Sequence, residues 1–345
     1  MTRLERLLAT YDYSFPKKLI AQRPANPRDS ARLLAYDRRT GRARFGTFTR
    51  IPLFIPKNAI LVFNDTKVIP ARFVVTKPTG GKAKLLYLAT EGNEIRAMAD
   101  RKLTIGTRLI LAPRYSFTVA RQEEKYYYLL PSFPVARIYA VLERYGTTPI
   151  PPYIKHASLS EQKLRADYQT VFAQTKGSVA APTASLHFTK RLLARLRGKG
   201  IRIVFVTLHV NIGTFAPLTE KQIASGRLHE EYCSVSSKTA ALLNAAKKAG
   251  HPIIAVGTTS ARTLESATNR SGKVIPGSRT TDLFIRPPYA FRCITGLITN
   301  FHVPRSSLMM LVGAFVGRTT LLRLYRDAIR NRFRLFSFGD GMLLL

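Results

Sequence analysis

The chain has 345 residues, 46% of them apolar and 10% aromatic, which is enough for one large or two medium packed domains. Its only two cysteines, Cys233 and Cys293, exclude a disulfide framework and lie in no metal-ligand spacing. Charged residues interrupt the N-terminal segment, and the longest apolar run, 308–316, is well below the roughly 20 residues of a membrane span. We therefore expect a cytoplasmic protein without a membrane partner.

The charge of the chain is strongly unbalanced. Fifty-five Lys and Arg residues oppose twenty Asp and Glu residues, which gives a formal net charge of +35. Such an excess produces a positive potential over much of the surface and favours a polyanionic partner such as a nucleic acid. A uniformly basic proteome, or a surface that drifted toward arginine, would give the same excess without such a partner.

Between residues 61 and 149 the chain alternates short apolar stretches with turn-like pieces such as Pro78-Thr79-Gly80-Gly81. The apolar stretches are 61–63, 71–75, 85–88, 95–99, 108–112, 116–120 and 126–130. Strands at this even spacing predict a small antiparallel barrel or sandwich.

After residue 186 helical and strand patterns alternate. Ser236 or Ser237 caps a predicted helix that Gly250 ends, and the apolar run 253–256 is typical of a strand buried in a parallel sheet. The alternation predicts a layered α/β domain. Because the first sixty residues do not resemble the barrel, we expect 1–60 plus 150–345 to form the large domain and 61–149 to form an inserted barrel domain.

Polar clusters follow the predicted strands. The sequence has no GxGxxG opening a strand, no GxxxxGK[ST], no HExxH and no GxSxG motif, and we predict no metal site. Open α/β sheets bind ligands beyond the carboxyl ends of their strands. Four clusters occupy such positions, at 177–189, 207–215, 257–266 and 295–304. A single histidine there is structural about as often as functional, but three of the six histidines in the chain lie in these clusters, which favours a site.

An arginine stripe lies near the C-terminus. Arg323, Arg326, Arg330 and Arg334 recur at helical spacing, beside an apolar stripe. Such a stripe either contacts phosphates or is a solvated helix face, and the solvated face is the commoner case.

Longer blocks around the clusters carry a family resemblance. The blocks are 19–22, 27–34, 61–72, 168–172, 177–189, 207–215, 257–266, 281–285, 296–304 and 336–340. In their order, and over the chain from about residue 11 to the end, they resemble the S-adenosylmethionine:tRNA ribosyltransferase-isomerase family of queuosine biosynthesis. The sequence departs from the family pattern at Lys84, Ser185, Asn211-Ile212 and the block 228–232.

The resemblance implies an α/β domain with an inserted Greek-key β-barrel, in agreement with the pattern of elements. It implies S-adenosylmethionine as a ribosyl donor, which accounts for the missing methyltransferase glycine loop. The other substrate would be tRNA carrying 7-aminomethyl-7-deazaguanine at the wobble position of the anticodon loop. The implied product is epoxyqueuosine-tRNA, with adenine and methionine released. We expect a monomer that needs no metal.

Site residues follow from the clusters and the resemblance. We assign proton transfer to His209, His187 and His302, with Asp282 or Glu231 as orienting or accepting carboxylates, because imidazole titrates near pKa ~6.5 and acts in either direction. We expect the S-adenosylmethionine to be held by Thr258, Thr259, Ser260, Arg262, Thr183 and Asn300.

Further residues are expected to serve the RNA and the domain junction. Tyr11, Tyr13 and Tyr153 are candidates for stacking with RNA bases. Asp65 and Arg72 either shape the junction or form a purely structural ion pair. Two rival functions remain open, a non-catalytic RNA-binding protein with a decayed pocket and an S-adenosylmethionine enzyme that acts on a small molecule.

Overall fold

The computed structural model describes residues 2–155, 159–211 and 217–345. The strands are β1 (Arg32–Asp37), β2 (Arg42–Thr47), β3 (Ile60–Asn64), β4 (Thr66–Val68), β5 (Arg72–Thr76), β6 (Lys82–Glu91), β7 (Glu94–Ala99), β8 (Arg108–Ala112), β9 (Tyr115–Glu123), β10 (Tyr126–Pro131), β11 (Thr175–Ser178), β12 (Arg202–Leu208), β13 (Arg227–Val235), β14 (Ile253–Val256), β15 (Gly277–Leu283), β16 (Gly296–Asn300) and β17 (Gly341–Leu344). The α-helices are α1 (Arg3–Ala9), α2 (Ile138–Tyr145), α3 (Glu161–Asp167), α4 (Lys190–Gly198), α5 (Glu220–Ser225), α6 (Ser237–Lys248), α7 (Thr258–Ala267), α8 (Ser307–Val316) and α9 (Arg318–Arg330).

A nine-stranded sheet forms the centre of the molecule, in the order β15-β13-β12-β3-β14-β16-β17-β1-β2. The four strands β12, β3, β14 and β16 are parallel, so their carboxyl ends lie at one edge of the sheet. Strand β13 is antiparallel to β12, and β15 is antiparallel to β13. The beginning of β13 and the end of β15 therefore reach the same edge.

Both faces of the sheet are covered, and its central strands β3, β14 and β16 are buried at every position. In β3, Val62 packs into one core with α6, α7, α8 and α9, whereas Leu61 and Phe63 pack into a second core with α4. This alternation follows from the two-residue period of a strand. It produces the predicted layered α/β arrangement.

Strands β5 to β10 form a closed barrel in the order β10-β7-β6-β5-β8-β9. After three successive hairpin strands, β8 returns to lie beside β5, which is the Greek-key connection. Tyr87, Phe73 and Phe117 fill the interior, and α2 covers it through Ile138 and Leu142. The predicted fold class, a layered α/β domain with an inserted antiparallel barrel, is confirmed.

One strand was assigned wrongly in the sequence analysis. The apolar stretch 61–63, expected to be the first barrel strand, belongs to β3 at the centre of the nine-stranded sheet, where it pairs with β12 and β14. The barrel strands begin at Arg72 and end at Pro131. A short apolar run suits a barrel strand and a buried strand of a parallel sheet equally well. Only its pairing partners, which are distant in the sequence, decide between the two. The division into two domains stays a prediction.

Local signals at helix ends agree with the structure. Ser236 caps α6 by accepting from the backbone N–H of Thr239, and Gly250 adopts φ +68° just after the helix. The arginine stripe is shorter than predicted. Arg323, Arg326 and Arg330 lie exposed on α9, but Arg334 lies beyond the helix and pairs with the Asp340 carboxylate at 3.0 Å.

Within the ranges that the structure describes, no single helix has the length and apolar character needed to span a membrane. Helices α8 and α9 reach that length and composition only when taken together, and they are bent by 108° relative to each other.

Candidate active site

A cleft lies at the carboxyl ends of β14 and β16. We call it the strand-end cleft. Five of the predicted site residues line it, namely Thr183, Thr258, Thr259, Asn300 and His302. The parallel direction of the two strands brings these residues together from three separate clusters of the sequence.

Helix α7 begins at the wall of the strand-end cleft. Gly257 precedes it at φ +96°, and no side chain caps its first turn. The hydroxyl of Thr259 is buried and has no hydrogen-bond partner among the residues that the structure describes. An uncapped helix start offers backbone N–H groups and a positive partial charge, which suits a ligand carboxylate or hydroxyl oxygen.

His302 is held firmly in this cleft. Its Nε2 lies 2.8 Å from the Thr299 hydroxyl, and its backbone N–H donates to the Tyr325 hydroxyl at 2.8 Å. The Tyr13 hydroxyl donates to its carbonyl oxygen. Burial lowers the pKa of His302 to about 3. The imidazole is therefore neutral at physiological pH and acts there as a hydrogen-bonding group.

A second cleft separates the barrel from the sheet, and we call it the junction cleft. Its barrel wall consists of Leu88, Ala89, Glu91, Arg96 and Tyr126. The opposite wall consists of Gly177, His209, Asn211, His229, Glu230, Tyr232 and Thr280.

His209 is the best-positioned titratable group of the junction cleft. Its Nδ1 lies 2.8 Å from the Thr66 hydroxyl, and its ring stacks on Tyr232 with centroids 5.2 Å apart and planes inclined by 23°. Gly177 makes room for the ring, because a Cβ at that position would lie 2.7 Å from Nε2. Burial lowers the pKa of His209, which favours the neutral form that accepts a proton.

The two clefts open on either side of one strand end. Val210 lines the strand-end cleft and Asn211, the next residue, lines the junction cleft. Groups bound in the two clefts would thus meet where β12 ends.

A buried ion pair lies beside this meeting point. The Arg262 guanidinium donates to the Glu231 carboxylate, whose other oxygen accepts from the backbone N–H of Asn211 at 2.9 Å. Arg262 also donates to the Leu283 carbonyl at 3.1 Å. Its Nη2 is buried and has no hydrogen-bond partner within the described parts of the chain. Arg262 and Glu231 line a small pocket that shares Leu308 with the strand-end cleft.

Comparison with known proteins decides the family. The family model for "Queuosine biosynthesis protein" matches residues 8–344. The chain belongs to this family. The resemblance found in the sequence blocks is thereby confirmed.

Several relatives share the full length of the chain. Proteins named S-adenosylmethionine:tRNA ribosyltransferase-isomerase from Anaeromyxobacter sp. (strain Fw109-5) and Caldanaerobacter subterraneus are 45% and 43% identical to it, and each alignment covers at least 96% of this chain and 98% of the relative. A crystal structure of S-adenosylmethionine tRNA ribosyltransferase from Thermotoga maritima is 31% identical, with a TM-score of 0.56, and covers 97% of this chain and 100% of that one. The family is thus one of enzymes.

Some residues predicted for the site lie away from both clefts. His187 is buried and stacks on Phe48 with ring centroids 4.1 Å apart, and burial lowers its pKa to about 3. The Ser260 hydroxyl donates to the Val256 carbonyl at 2.9 Å inside the sheet layer. Asp282 pairs with Arg227 at 3.5 Å. None of these three residues is among the described residues that line the clefts.

The alternative of an ion pair between Asp65 and Arg72 was wrong. The Asp65 carboxylate accepts from the Thr207 hydroxyl at 2.7 Å, and the Arg72 guanidinium donates to the Ile150 carbonyl at 3.4 Å. Among the described residues the two form no ion pair with each other. Residues 212–216, part of the predicted cluster 207–215, lie outside the described residues.

The aromatic residues chosen for RNA contact were only partly suitable. Tyr11 is a core residue with 4% of its surface exposed, and the Tyr13 hydroxyl is engaged by His302. Tyr153 lines the strand-end cleft. Sequence reasoning missed Tyr232, which lines the junction cleft, because its only signal was membership of the variant block 228–232.

Part of the cluster 177–189 serves a different purpose from the one predicted. The small residues were expected to let a ligand approach the backbone, but the space beside Gly177 is occupied by the His209 ring. Ser185, a departure from the family pattern, is fully buried in the short 3-10 helix Thr183–His187. Within the ranges that the structure describes, no group of three or more His, Cys, Asp or Glu side chains is placed to hold a metal ion.

Proposed function

We propose that this protein transfers and isomerises the ribosyl moiety of S-adenosylmethionine onto 7-aminomethyl-7-deazaguanine at the wobble position of tRNA. The product is epoxyqueuosine-tRNA, and adenine and methionine are released. The meeting of two clefts at Val210 and Asn211 carries this proposal, because the reaction joins two large substrates at one carbon. The family membership and the names of the relatives support the reaction class.

In this proposal the strand-end cleft holds the S-adenosylmethionine. Thr258, Thr259 and the uncapped start of α7 bind ribose hydroxyls, with Thr183 and Asn300 on the facing wall. Arg262 and Glu231, in the neighbouring pocket that shares Leu308 with this cleft, bind the methionine carboxylate and ammonium groups. Ser260 supports this binding through the helix that it stabilises and does not touch the ligand.

The modified base enters from the junction cleft. A wobble base has to leave its stack to react, and unstacked loop bases are the usual targets of RNA-modifying proteins. In the junction cleft such a base lies next to the imidazole of His209. The base and the ribosyl carbon would then meet where β12 ends.

The chemistry needs oriented groups and timed proton transfers. The sulfonium makes the ribosyl carbon electrophilic, so no covalent enzyme nucleophile is required. His209 accepts the proton that the aminomethyl nitrogen loses when it bonds to the ribosyl carbon, since its lowered pKa keeps it neutral. Neutral His302 donates a hydrogen bond in the strand-end cleft while adenine leaves. Alignment of the two substrates supplies roughly 7–11 kcal/mol, and each placed acid or base about 10²–10⁴-fold.

Two predicted groups act indirectly in this scheme. His187 stacks on Phe48 and ends the short 3-10 helix Thr183–His187, so it positions Thr183 at the wall of the strand-end cleft. Asp282 lies on β15 and pairs with Arg227, so it influences the site only through the position of this strand. Both are proposed as positioning residues.

We propose tRNA as the partner of the basic surface, and a monomer in the cytoplasm as the active form. The net charge of +35 supports strong binding to phosphates. If phosphate contacts dominate, the logarithm of the binding constant should fall with the logarithm of salt concentration, with a slope of roughly −0.7 per contact for single-stranded segments.

The test measures adenine released from S-adenosylmethionine with tRNA that carries the aminomethyl-deazaguanine, and with unmodified tRNA as control. Release that requires the modified tRNA is the expected result. Release without any RNA would indicate an enzyme that acts on a small molecule. Tight, salt-sensitive tRNA binding without release would indicate a non-catalytic RNA-binding protein.

A further inference from the structure

Tyr232 is unusually exposed for an aromatic residue beside a catalytic group. It lies on β13, lines the junction cleft and has 41% of its surface exposed. One face of its ring is covered by the His209 imidazole, and its hydroxyl hydrogen bonds to the Ser278 hydroxyl at 2.9 Å. The ring is thus held in one orientation from two sides while much of it stays open.

The opposite wall of the junction cleft is basic and aromatic. The Arg96 guanidinium lies 5.5 Å and the Lys125 ammonium 5.4 Å from the Tyr126 ring centroid. Such a wall suits an RNA backbone from which one loop base points into the cleft. Phosphates bind Lys and Arg, and bases stack on aromatic faces.

Two acidic side chains also line the junction cleft, namely Glu91, which pairs with Arg96 at 3.0 Å, and Glu230. The Glu230 carboxylate favours a base with a positive substituent over an unmodified one. An aminomethyl group on the base is an ammonium ion at neutral pH.

We propose that Tyr232 is the stacking platform for the wobble base, on the ring face that the His209 imidazole leaves open. This proposal rests on the proposed function for the identity of the base. It makes Tyr232, on β13, a substrate-binding residue and makes the junction cleft the binding site for the RNA. Stacking of a base on an aromatic ring typically contributes enough that its loss weakens binding about 5- to 150-fold.

A thermodynamic cycle tests the stacking directly. The dissociation constant of an anticodon stem-loop RNA is measured for wild type and Tyr232→Leu, each with a normal wobble nucleotide and with an abasic one. Wild type should lose about 5- to 150-fold in affinity when the base is removed. Tyr232→Leu should bind both RNAs with the weaker affinity, since its partner for the base is already gone.

Two variants serve as controls. Tyr232→Phe keeps the ring and removes only the hydroxyl, so it should retain the effect of the base on binding. Phe45→Leu removes a comparably exposed aromatic ring, 43% exposed, from β2 at the far edge of the sheet, and should behave as wild type. Thermal unfolding of each variant shows whether the fold is retained.

The outcomes separate this proposal from the proposed function. If removal of the base weakens Tyr232→Leu as much as wild type, the base stacks elsewhere and the proposal is overturned, even when wild type releases adenine normally. If the effect of the base is lost in Tyr232→Leu but wild type never releases adenine, the stacking site stands and the proposed reaction fails.

Discussion

The hydroxyl of Thr66 lies 2.8 Å from Nδ1 of His209. Thr66 belongs to β4, which pairs with β11 in a small separate sheet just before the chain enters the barrel. The hydrogen bond thus ties the entrance of the barrel to the end of β12. Because Nδ1 is engaged, Nε2 is the ring nitrogen left for the substrate, and the hydrogen bond fixes the orientation of the ring.

Replacement of Thr66 by Val removes this hydrogen bond with little change in volume. We expect kcat for adenine release to fall about 2- to 12-fold, the usual effect of one hydrogen bond, with the KM for S-adenosylmethionine unchanged.

His209→Ala should abolish turnover without loss of folding, and His251→Ala, at the opposite edge of the sheet, should not affect it. Wild-type turnover in His209→Ala would contradict the role of the imidazole.

Gly177 is required by the His209 ring. A Cβ there would lie 2.7 Å from Nε2, and the residue has φ +145°. Gly177→Ala should therefore displace the ring, lower turnover at least tenfold and destabilise the fold by about 1–3 kcal/mol. Gly198→Ala is the matched control, because its Cβ would meet no atom within 4 Å. That change should be neutral or stabilise by about 0.5–1 kcal/mol. Equal effects in both variants, measured by denaturant unfolding and turnover, would refute this assignment.

The pair of Arg262 and Glu231 is almost wholly buried, with side chains 5% and 2% exposed. Arg262→Met removes the guanidinium that neutralises the buried Glu231 carboxylate and should cost about 3–5 kcal/mol in the free energy of unfolding. Adding Glu231→Leu should restore part of that loss. The half-exposed pair of Arg305 and Asp12 is the control, and Arg305→Ala should cost no more than about 1 kcal/mol. Equal losses in Arg262→Met and Arg305→Ala would contradict this interpretation.

His187 should make the fold sensitive to acid. Its pKa falls from 6.5 to about 3 on folding, because burial and the nearby Arg334 charge disfavour the imidazolium. Between these values the unfolded state binds the extra proton, so stability decreases as the pH falls from 6.5 toward 3. The slope should be up to about 1.4 kcal/mol per pH unit.

The variant His187→Gln isolates this contribution. Its free energy of unfolding should depend less steeply on pH than that of wild type, by the slope of one proton, when both are measured by denaturant titration over the same pH range. Carboxylates contribute equally to both proteins and cancel in the difference. Identical slopes would show that His187 is not the group that titrates.

The sequence predicted the positions of strand ends well and long-range pairing less well. The apolar run of β14 and the caps of α6 are local signals, and the rule for parallel sheets then brings Thr258, Thr259, Asn300 and His302 to one edge. Strand β3 was placed in the barrel because Ile60 to Phe63 would suit either environment. Its true partners, β12 and β14, lie more than a hundred residues away.

The contacts that surround His209 had no local signal in the sequence. Thr66, Gly177 and Tyr232 surround His209 only because three distant segments meet at the junction cleft. Ser260 was chosen because it carries a hydroxyl in one of the predicted clusters. Its hydroxyl instead donates to the Val256 carbonyl, which lies about one helical turn earlier. Periodicity identifies the face of an element, but the contacts across that face depend on the complete fold.

The central claim is that the ribosyl group of S-adenosylmethionine, and not its methyl group, reaches the RNA. The most direct measurement incubates the protein and the aminomethyl-deazaguanine tRNA with S-adenosylmethionine labelled either in the ribose or in the methyl group, and then counts label in the purified tRNA. We predict that the ribose label enters the tRNA in wild type but not in His209→Ala, and that the methyl label stays with methionine. Methyl label in the tRNA, or no ribose label with wild-type protein, would contradict the account.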